Sequence, residues 1–546
     1  MFNFKDKVVY QIYPKSFYDS KNDGVGDIKG ITLKLDYLKN LGIDYIWMNP
    51  IFISPQKDNG YDVEDYKRIN PAFGTMEDLE ELIFEAKKRD IYLMFDMVFN
   101  HTSTEHEWFK KAMAGDEKYK NYYYFKKPNK DGSMPTNWES KFGGPCWEYV
   151  DKFDEYYLHL FDVSMADLNW SNPDVRKEVQ DIVQFWIDKG IKGFRFDVIN
   201  LIDKMSFEDD FEGVGKRFYT DGPLVHDYLR ELNEATFGRY EGMVTVGEMS
   251  ATTIENCIGY TNPDNHELNM AFNFHHLKVD YKNKEKWTVM PFDFKELKDL
   301  FDSWELGMQE NNGWNALFWN CHDQPRSISR FGNDTKYHKE SAKMLAASIH
   351  LQRGTPYIYM GEEIGMTNAY FTDLSQYKDV ESINYYHIMK DEGYTDEKIY
   401  EILQAKSRDN ARTPMQWTTD GGFSTHTPWI EMNPRCKDIN VEDALNDPDS
   451  IFYFYKKLIE LRKTYKVISE GTYTPLFEES NCLYAFKRNY ENEELIVLNN
   501  FYDKQTTVSI EGIEEYEVMI SNYKDHDLKN ELHIRPYETV ALYRKK

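Results

Sequence analysis

The sequence predicts a (β/α)8 barrel with a domain inserted after its third strand and an antiparallel β-sandwich domain at its C-terminus. Eight short runs of β-branched and aromatic residues alternate with longer amphipathic stretches, which is typical of βα units around a parallel sheet. From about residue 469 the pattern changes to closely spaced short strands with Gly, Asn, Asp and Pro between them, which favours antiparallel pairing.

The eight predicted barrel strands follow one another along the first 360 residues. They are VVYQIY near Val8, YIWMNP near Tyr45, IYLMFDMV near Ile91, GFRFDV near Gly193, MVTVGEM near Met243, MAFNFHH near Met270, ALFWNCHD near Ala316 and TPYIYMG near Thr355. Segments between them, such as 76–90, carry apolar residues at three-and-four spacing and a basic C-terminal turn, which predicts helices.

The connection between the third and fourth predicted strands is too long for a single helix, since it spans about 70 residues. It predicts an inserted domain. We therefore expect the barrel over 1–100 and 169–468, the inserted domain over 101–168 and the C-terminal β domain over 469–546.

The composition excludes several classes of partner. The 546 residues include 93 acidic and 66 basic ones, a formal net charge of -27, which repels nucleic acids and anionic membrane surfaces. The sequence contains neither a secretory leader nor a run of roughly 20 apolar residues, so we expect a cytoplasmic protein that does not enter a membrane. Five scattered cysteines are expected to be reduced thiols: Cys146, Cys257, Cys321, Cys436 and Cys482.

Three carboxylates follow predicted barrel strands: Asp197, Glu248 and Asp323. Because the C-terminal ends of barrel strands meet at one face, these side chains are expected to form one active site. Acids without a neighbouring set of Cys or His ligands suit glycoside hydrolysis, in which one carboxylate acts at the anomeric carbon while another protonates the leaving oxygen. This chemistry needs no cofactor.

Four segments, MFDMVFNH, GFRFDVIN, VGEM and NCHDQ, resemble the four ordered sequence regions of the α-amylase superfamily of retaining α-glycosidases. The resemblance implies that Asp197 is the nucleophile, that Glu248 is the general acid and then the general base, and that Asp323 holds the sugar hydroxyls. It also implies that His101, Arg195 and His322 bind substrate. Strand alternation independently makes Arg195 an electrostatic partner for Asp197.

Two further segments, DNGYD and RDNARTPMQW, resemble the α-glucosidase branch of that superfamily. The resemblance implies that Asp58 and Arg412 grip the terminal glucose and that Tyr61 is its stacking platform. A pocket closed at this end implies exo-action on short substrates.

The segments FNFHHLKVDYKNKEKW, PTNWESKFGG, RFYTDGPLVHDYL and YTNPDNHELNM resemble one branch of the superfamily, the trehalose-6-phosphate hydrolases. The resemblance implies a phosphorylated disaccharide as substrate. The lysines after the sixth predicted strand concentrate positive charge in an acidic protein, as phosphate binding requires. We expect phosphate contacts from Lys278 and Lys286, with Lys141 as a further candidate, and interpret Lys282 and Lys284 as solvated loop residues.

The sequence leaves two alternative activities open and disfavours a third, non-catalytic role. An oligo-1,6-glucosidase would use the same three acids on a neutral substrate, although the basic run after Phe274 disfavours it. Val198 after Asp197 resembles enzymes that act on α-1,6 or trehalose-type linkages more than it resembles maltases. An α-glucosyl transferase or isomerase would pass through the same intermediate. A non-catalytic homologue associated with a membrane transporter is disfavoured, because the three acids are retained.

The segment DSKNDGVGD resembles the first-loop calcium site of the α-glucosidase branch. Its oxygen ligands would be Asp19, Asp23, the Val25 carbonyl and Asp27. Because Lys21 stands at the remaining ligand position, its ammonium could replace the cation, and a structural turn without metal is the alternative.

Overall fold

The structure, a computed structural model, describes residues 3–529 and 531–546, and in this part of the chain eight parallel strands form a barrel. Parallel pairing runs from the sixth strand down to the first and on to the eighth and seventh, and a bridge from Ala271 to Asn315 closes the ring. The predicted barrel is confirmed. Its strands are Val9–Ile12, Tyr45–Met48, Tyr92–Val98, Gly193–Asp197, Val244–Glu248, Met270–Phe272, Ala316–Leu317 and Thr355–Tyr359.

Helices surround the barrel strands and bury their apolar faces against them. The helix Met76–Lys87 begins at Thr75, whose side chain accepts from the backbone of Asp78 while Asp78 binds back to Thr75, a capping box. The principal helices around the barrel are Ile28–Leu33, Leu35–Leu41, Met76–Lys87, Pro173–Asp188, Leu224–Ala235, Ile254–Thr261, Phe294–Glu310, His338–His350 and Ile451–Thr464. Two helices after the eighth strand, Val380–Asp391 and Asp396–Lys406, precede the short helix Asp409–Arg412.

The segment between the third strand and the helix Pro173–Asp188 has its own small sheet. Phe125–Lys126, Glu155–Leu158 and Trp147–Val150 pair in antiparallel fashion. His101–Ser103 pairs with Met165–Asp167, which brings the two ends of the segment together beside the third strand. The segment therefore lies next to the C-terminal ends of the barrel strands.

The C-terminal part is antiparallel, as predicted. A five-stranded sheet contains Thr472–Leu476, Leu483–Tyr490, Glu493–Asn500, Thr539–Lys545 and Glu517–Ser521, and a second sheet pairs Thr506–Ser509 with Glu531–Ile534. Buried polar contacts join this part to the barrel helix Phe294–Glu310: the Lys298 ammonium donates to the carbonyls of Phe477 and Ser480 at 3.2 and 3.0 Å.

Within residues 3–529 and 531–546, none of the helices combines the length and the apolar character needed to cross a bilayer.

Candidate active site

The three predicted acids lie at one end of the barrel. Asp197 and Glu248 are the last residues of the strands Gly193–Asp197 and Val244–Glu248. Asp323 lies farther along than expected, because the seventh strand is only two residues long, Ala316–Leu317, and the chain then turns before reaching Asp323. The turn is ordered by the side chain of Asn320, which donates to Glu362 at 2.6 Å.

Arg195 connects the acids of this site. Its Nη1 donates to Asp96 Oδ1 at 2.5 Å and to Asp197 Oδ1 at 2.6 Å, and its Nη2 contacts Glu248 Oε2. Two nitrogens of one planar guanidinium therefore hold Asp197 and Glu248, so that both carboxylates border the same small space. The pairing of Arg195 with Asp197 agrees with the strand alternation seen in the sequence.

Burial and charge shift the two predicted catalytic aspartates in opposite directions. Burial raises the pKa of Asp197 to about 7, Arg195 acts against this rise, and the Asp96 and Asp323 carboxylates add to it. Burial alone would also raise the pKa of Asp323, but His322 and two arginines together hold it well below its ordinary value. Asp323 is therefore a fixed negative charge, whereas Asp197 titrates near neutrality.

The arginines beside Asp323 belong to a buried ion-pair network that we call the paired end: Asp58, Asp323, Asp379, Arg408 and Arg412. Arg408 donates to Asp323 at 3.0 Å, to Asp379 at 2.5 Å and to Asp58 at 3.3 Å. Arg412 donates to Asp323 at 3.1 Å and lies 3.5 Å from Asp379. Asp58 and Arg412 thus lie in the same network, in which Asp58 contacts Arg408 and Arg412 contacts Asp323, and the binding of glucose by Asp58 and Arg412 stays a prediction.

One tyrosine ring and two imidazoles lie beside the carboxylates of the site. The Tyr61 ring stacks on His322, with centroids 5.1 Å apart and planes within 4°, and its hydroxyl donates to Asp96 at 2.8 Å. His322 Nε2 lies 2.9 Å from Asp323 Oδ2. His101 Nε2 lies 3.2 Å from the Tyr61 carbonyl oxygen, and burial lowers the pKa of His101 to about 4, so its imidazole is neutral. Substrate contacts by these residues remain predictions.

Val198, directly after Asp197, has a left-handed backbone conformation with a φ of 34°. A β-branched residue rarely adopts this conformation, which costs about 1–3 kcal/mol. The chain thus turns sharply at the strand end and leaves the Asp197 carboxylate directed towards Arg195.

A cleft of about 490 Å³ extends from Glu248, Asp323 and Arg408 to a group of lysines at the surface. The group, which we call the lysine end, consists of Lys141, Lys216, Lys278 and Lys286. The three predicted phosphate-binding lysines are therefore brought together, and Lys216 joins them. Lys216 and Lys278 are exposed on the cleft wall.

The lysines differ in their partners. Lys286 Nζ lies 2.6 Å from Glu381 Oε2, and Lys141 Nζ donates to the Ser250 hydroxyl at 3.1 Å. Burial, together with the Lys216 and Lys278 charges, lowers the pKa of Lys141 to about 7. Because the ammonium groups of Lys141, Lys216 and Lys278 repel one another, an anion bound between them would lower their electrostatic energy.

The neighbouring histidines add no charge to the lysine end. His276 Nε2 lies 2.8 Å from the Phe318 carbonyl oxygen, and burial lowers the pKa of His276 to about 4. His275 Nε2 lies 2.8 Å from the Thr252 carbonyl oxygen. Both imidazoles serve to hold the loop that carries Lys278.

The sequence analysis did not identify several charged residues of the cleft and the paired end, among them Lys216, Asp379, Glu381 and Arg408. Arg408 opens the segment RDNARTPMQW, and Lys216 directly precedes RFYTDGPLVHDYL, so both lay at the edge of a recognised segment. Asp379 is the N-cap of the helix Val380–Asp391, and a cap has no further signal in a single sequence. Only the fold brings these residues to the barrel.

The predicted calcium loop is held by hydrogen bonds between its own groups. Both Asp19 oxygens accept backbone N–H groups, including those of Asn22 at 2.7 Å and Gly24 at 2.8 Å. Asp27 accepts from Ser20 and caps the helix Ile28–Leu33, and the Lys21 ammonium turns away to the carbonyl of Ala72 at 3.2 Å. Backbone N–H groups and the Ser20 hydroxyl thus occupy oxygens of Asp19 and Asp27, and calcium binding here stays a prediction for metal analysis.

Comparisons with known proteins match this arrangement over the whole chain. Residues 11–471 match the family described as alpha amylase, catalytic domain, and residues 483–541 match the alpha-amylase SusG C-terminal domain. The trehalose-6-phosphate hydrolase of Bacillus subtilis (strain 168) is 54% identical, over 98% of this chain and 97% of its own length.

A second enzyme sequence and a crystal structure are also similar to this chain over nearly their whole length. The oligo-1,6-glucosidase of Parageobacillus thermoglucosidasius is 47% identical over 98% of each chain. The crystal structure of Bacillus licheniformis trehalose-6-phosphate hydrolase is 54% identical, covers 100% of both chains and superposes with a TM-score of 0.96. The chain is therefore a member of the α-amylase family of glycoside hydrolases.

Proposed function

We propose that this protein hydrolyses trehalose 6-phosphate to glucose and glucose 6-phosphate with retention of configuration. The observation that carries the proposal is one cleft with two different ends: a buried network of acids and arginines beside the three predicted catalytic acids, and a group of lysines at the surface. A neutral sugar ring fits the hydrogen-bonding groups of the paired end, and a phosphate dianion fits the ammonium groups of the lysine end.

The reaction proceeds in two displacements at the anomeric carbon of the unphosphorylated glucose. The Asp197 carboxylate attacks this carbon while Glu248 protonates the glycosidic oxygen, so that the C–O bond breaks and glucose 6-phosphate leaves. Glu248, now ionised, takes a proton from water, and the water oxygen attacks the β-glucosyl ester of Asp197. The products are α-glucose and the free carboxylate, with Glu248 protonated again.

Arg195 and Asp323 supply the electrostatic setting of these steps. Arg195 contacts both Asp197 and Glu248, and therefore fixes their relative positions and opposes protonation of the nucleophile. Asp323 stays ionised through the cycle, because His322, Arg408 and Arg412 hold its pKa low. A fixed carboxylate at this place can bind the sugar hydroxyls and stabilise positive charge that develops on the ring.

Product analysis of the purified protein tests the proposal. With trehalose 6-phosphate we expect equimolar glucose and glucose 6-phosphate, with the glucose first observed as its α-anomer by NMR. In ¹⁸O-labelled water the label should enter glucose and not glucose 6-phosphate, since the bond to the unphosphorylated ring is the one that breaks. An isomerised disaccharide, or no turnover, would overturn the proposal.

An oligo-1,6-glucosidase is the second candidate, favoured by the 47% identical relative and by the Lys286–Glu381 ion pair, which reduces the free positive charge of the cleft. The two activities separate in a competition assay. A trehalose-6-phosphate hydrolase should have a much higher kcat/KM for trehalose 6-phosphate than for isomaltose, and an oligo-1,6-glucosidase the reverse.

A further inference from the structure

Glu381 is the acidic residue that joins the two ends of the cleft. Its Oε2 lies 2.6 Å from Lys286 Nζ and 3.4 Å from Arg408 Nε. Arg408 in turn contacts Asp323, Asp58 and Asp379. One carboxylate oxygen is thus shared between a lysine of the lysine end and the central arginine of the paired end.

The position of Glu381 is unfavourable for an enzyme that only needs to bind phosphate tightly. Glu381 lines the same cleft as Lys278 and Lys286, is about 9% exposed, and directs its carboxylate at the ammonium that a phosphate would use. Two like-charged groups competing for one ammonium at hydrogen-bond distance disfavour each other. A phosphate that reaches Lys286 therefore meets the Glu381 carboxylate at the same ammonium and is repelled by it.

We propose that Glu381 is an internal competitor of the phosphate group and thereby lowers the affinity of the cleft for phosphorylated ligands. This proposal rests on the proposed function for its biological meaning, since the phosphorylated product must leave before water can attack the glucosyl ester. When glucose 6-phosphate departs, Glu381 returns to Lys286 and satisfies its charge. The exchange favours hydrolysis over reversal of the first displacement.

Inhibition by inorganic phosphate tests this role without assuming that trehalose 6-phosphate is the substrate. The assay measures hydrolysis of p-nitrophenyl α-glucoside, an uncharged substrate, at increasing phosphate concentration. We expect the inhibition constant for phosphate to fall about tenfold in Glu381→Gln relative to the unchanged protein, because a negative charge that repels the phosphate is removed and Lys286 is freed. Turnover of the uncharged substrate itself reports that the variant is folded.

Glu139→Gln is the matched control. Glu139 lines the same cleft and is exposed, and within residues 3–529 and 531–546 it forms no ion pair, so its removal changes the charge without freeing a lysine. An inhibition constant that is unchanged or higher in Glu381→Gln would overturn the proposal. An equal decrease in Glu139→Gln would also overturn it, because the effect would then arise from net charge alone. Absence of trehalose 6-phosphate hydrolysis in the unchanged protein would overturn the proposed function, and leave the phosphate measurement standing.

Discussion

The two ends of the cleft differ in how their charges are balanced. At the paired end, Arg408 and Arg412 are buried and each contacts at least two carboxylates, so the charges are already balanced in the free protein. At the lysine end, Lys216 and Lys278 are exposed and repel Lys141. The paired end is organised before substrate arrives, whereas the lysine end is completed by its ligand.

This comparison predicts that changes near the paired end affect every substrate and that changes at the lysine end affect only phosphorylated ones. The largest effect is expected from Asp197→Asn, because an amide cannot act as the nucleophile. The value of kcat/KM should fall by at least about 10⁴-fold for both trehalose 6-phosphate and an uncharged aryl α-glucoside. Asp203→Asn is the control, because Asp203 is a buried carboxylate that accepts the backbone N–H of Leu224. More than a hundredth of the activity remaining in Asp197→Asn would contradict the assigned role.

Arg408→Met should come second. The substitution removes a positive partner from the buried carboxylates of Asp58 and Asp379, and it allows Asp323 to move. We therefore expect kcat/KM to fall about 10²-fold on both substrates and the thermal unfolding midpoint to decrease. Arg89→Met is the control, since Arg89 pairs with Asp36 and Glu85 at the surface, where such contacts stabilise little. A loss confined to trehalose 6-phosphate would place Arg408 functionally with the lysines.

Lys278→Ala and Lys216→Ala should raise the KM for trehalose 6-phosphate about tenfold each, because a charge-assisted hydrogen bond to phosphate is lost. The kinetics with the uncharged aryl glucoside should not change. Lys282→Ala and Lys284→Ala serve as controls, because each removes one positive charge from the loop that follows Lys278 but from a position that does not line the cleft. Equal losses on the charged and uncharged substrates would exclude a phosphate role for Lys278 and Lys216.

The smallest effect is a pH dependence confined to the phosphorylated substrate. The pKa of Lys141 is lowered to about 7, so its ammonium is present below that pH and is lost as the pH rises through it. A sugar phosphate becomes a dianion above about pH 6. The KM for trehalose 6-phosphate should therefore be lowest between about pH 6 and 7 and rise several-fold by pH 8.5, and Lys141→Met should flatten that rise. A rise of equal size in the variant would exclude Lys141 as its cause.

The sequence predicted the barrel well because each of its strands combines β-branched or aromatic residues with a turn at the strand end. It also placed Asp197 and Glu248 correctly at the ends of their strands. The seventh strand is shorter than the apolar run ALFWNCHD indicated: it ends at Leu317, and the Asn320 side chain, three residues on, donates to Glu362 and Ser327 in the turn that follows.

The ion-pair network could not be predicted from the sequence. Arg408 and Asp58 are 350 positions apart, and Lys286 and Glu381 are 95 positions apart. No local periodicity connects such residues, and each has an ordinary interpretation as a solvated charge or a helix cap. The resemblance brings Asp58 and Arg412 to the same end of the pocket, whereas the contact of Asp58 with Arg408 depends on how the chain enters the short helix Asp409–Arg412.

The single charge of Arg195 limits how many of the surrounding carboxyl groups can be ionised at once. One guanidinium carries a single positive charge, yet it contacts three carboxylates, those of Asp96, Asp197 and Glu248. Trp47 and Tyr61 also donate hydrogen bonds to Asp96. Burial and the Asp96 carboxylate raise the pKa of Asp197 to about 7, because a single guanidinium does not balance the negative charge of all its neighbours. We therefore expect the acids around Arg195 to share a proton near neutral pH, and the proposed protonation of the leaving oxygen requires such a proton.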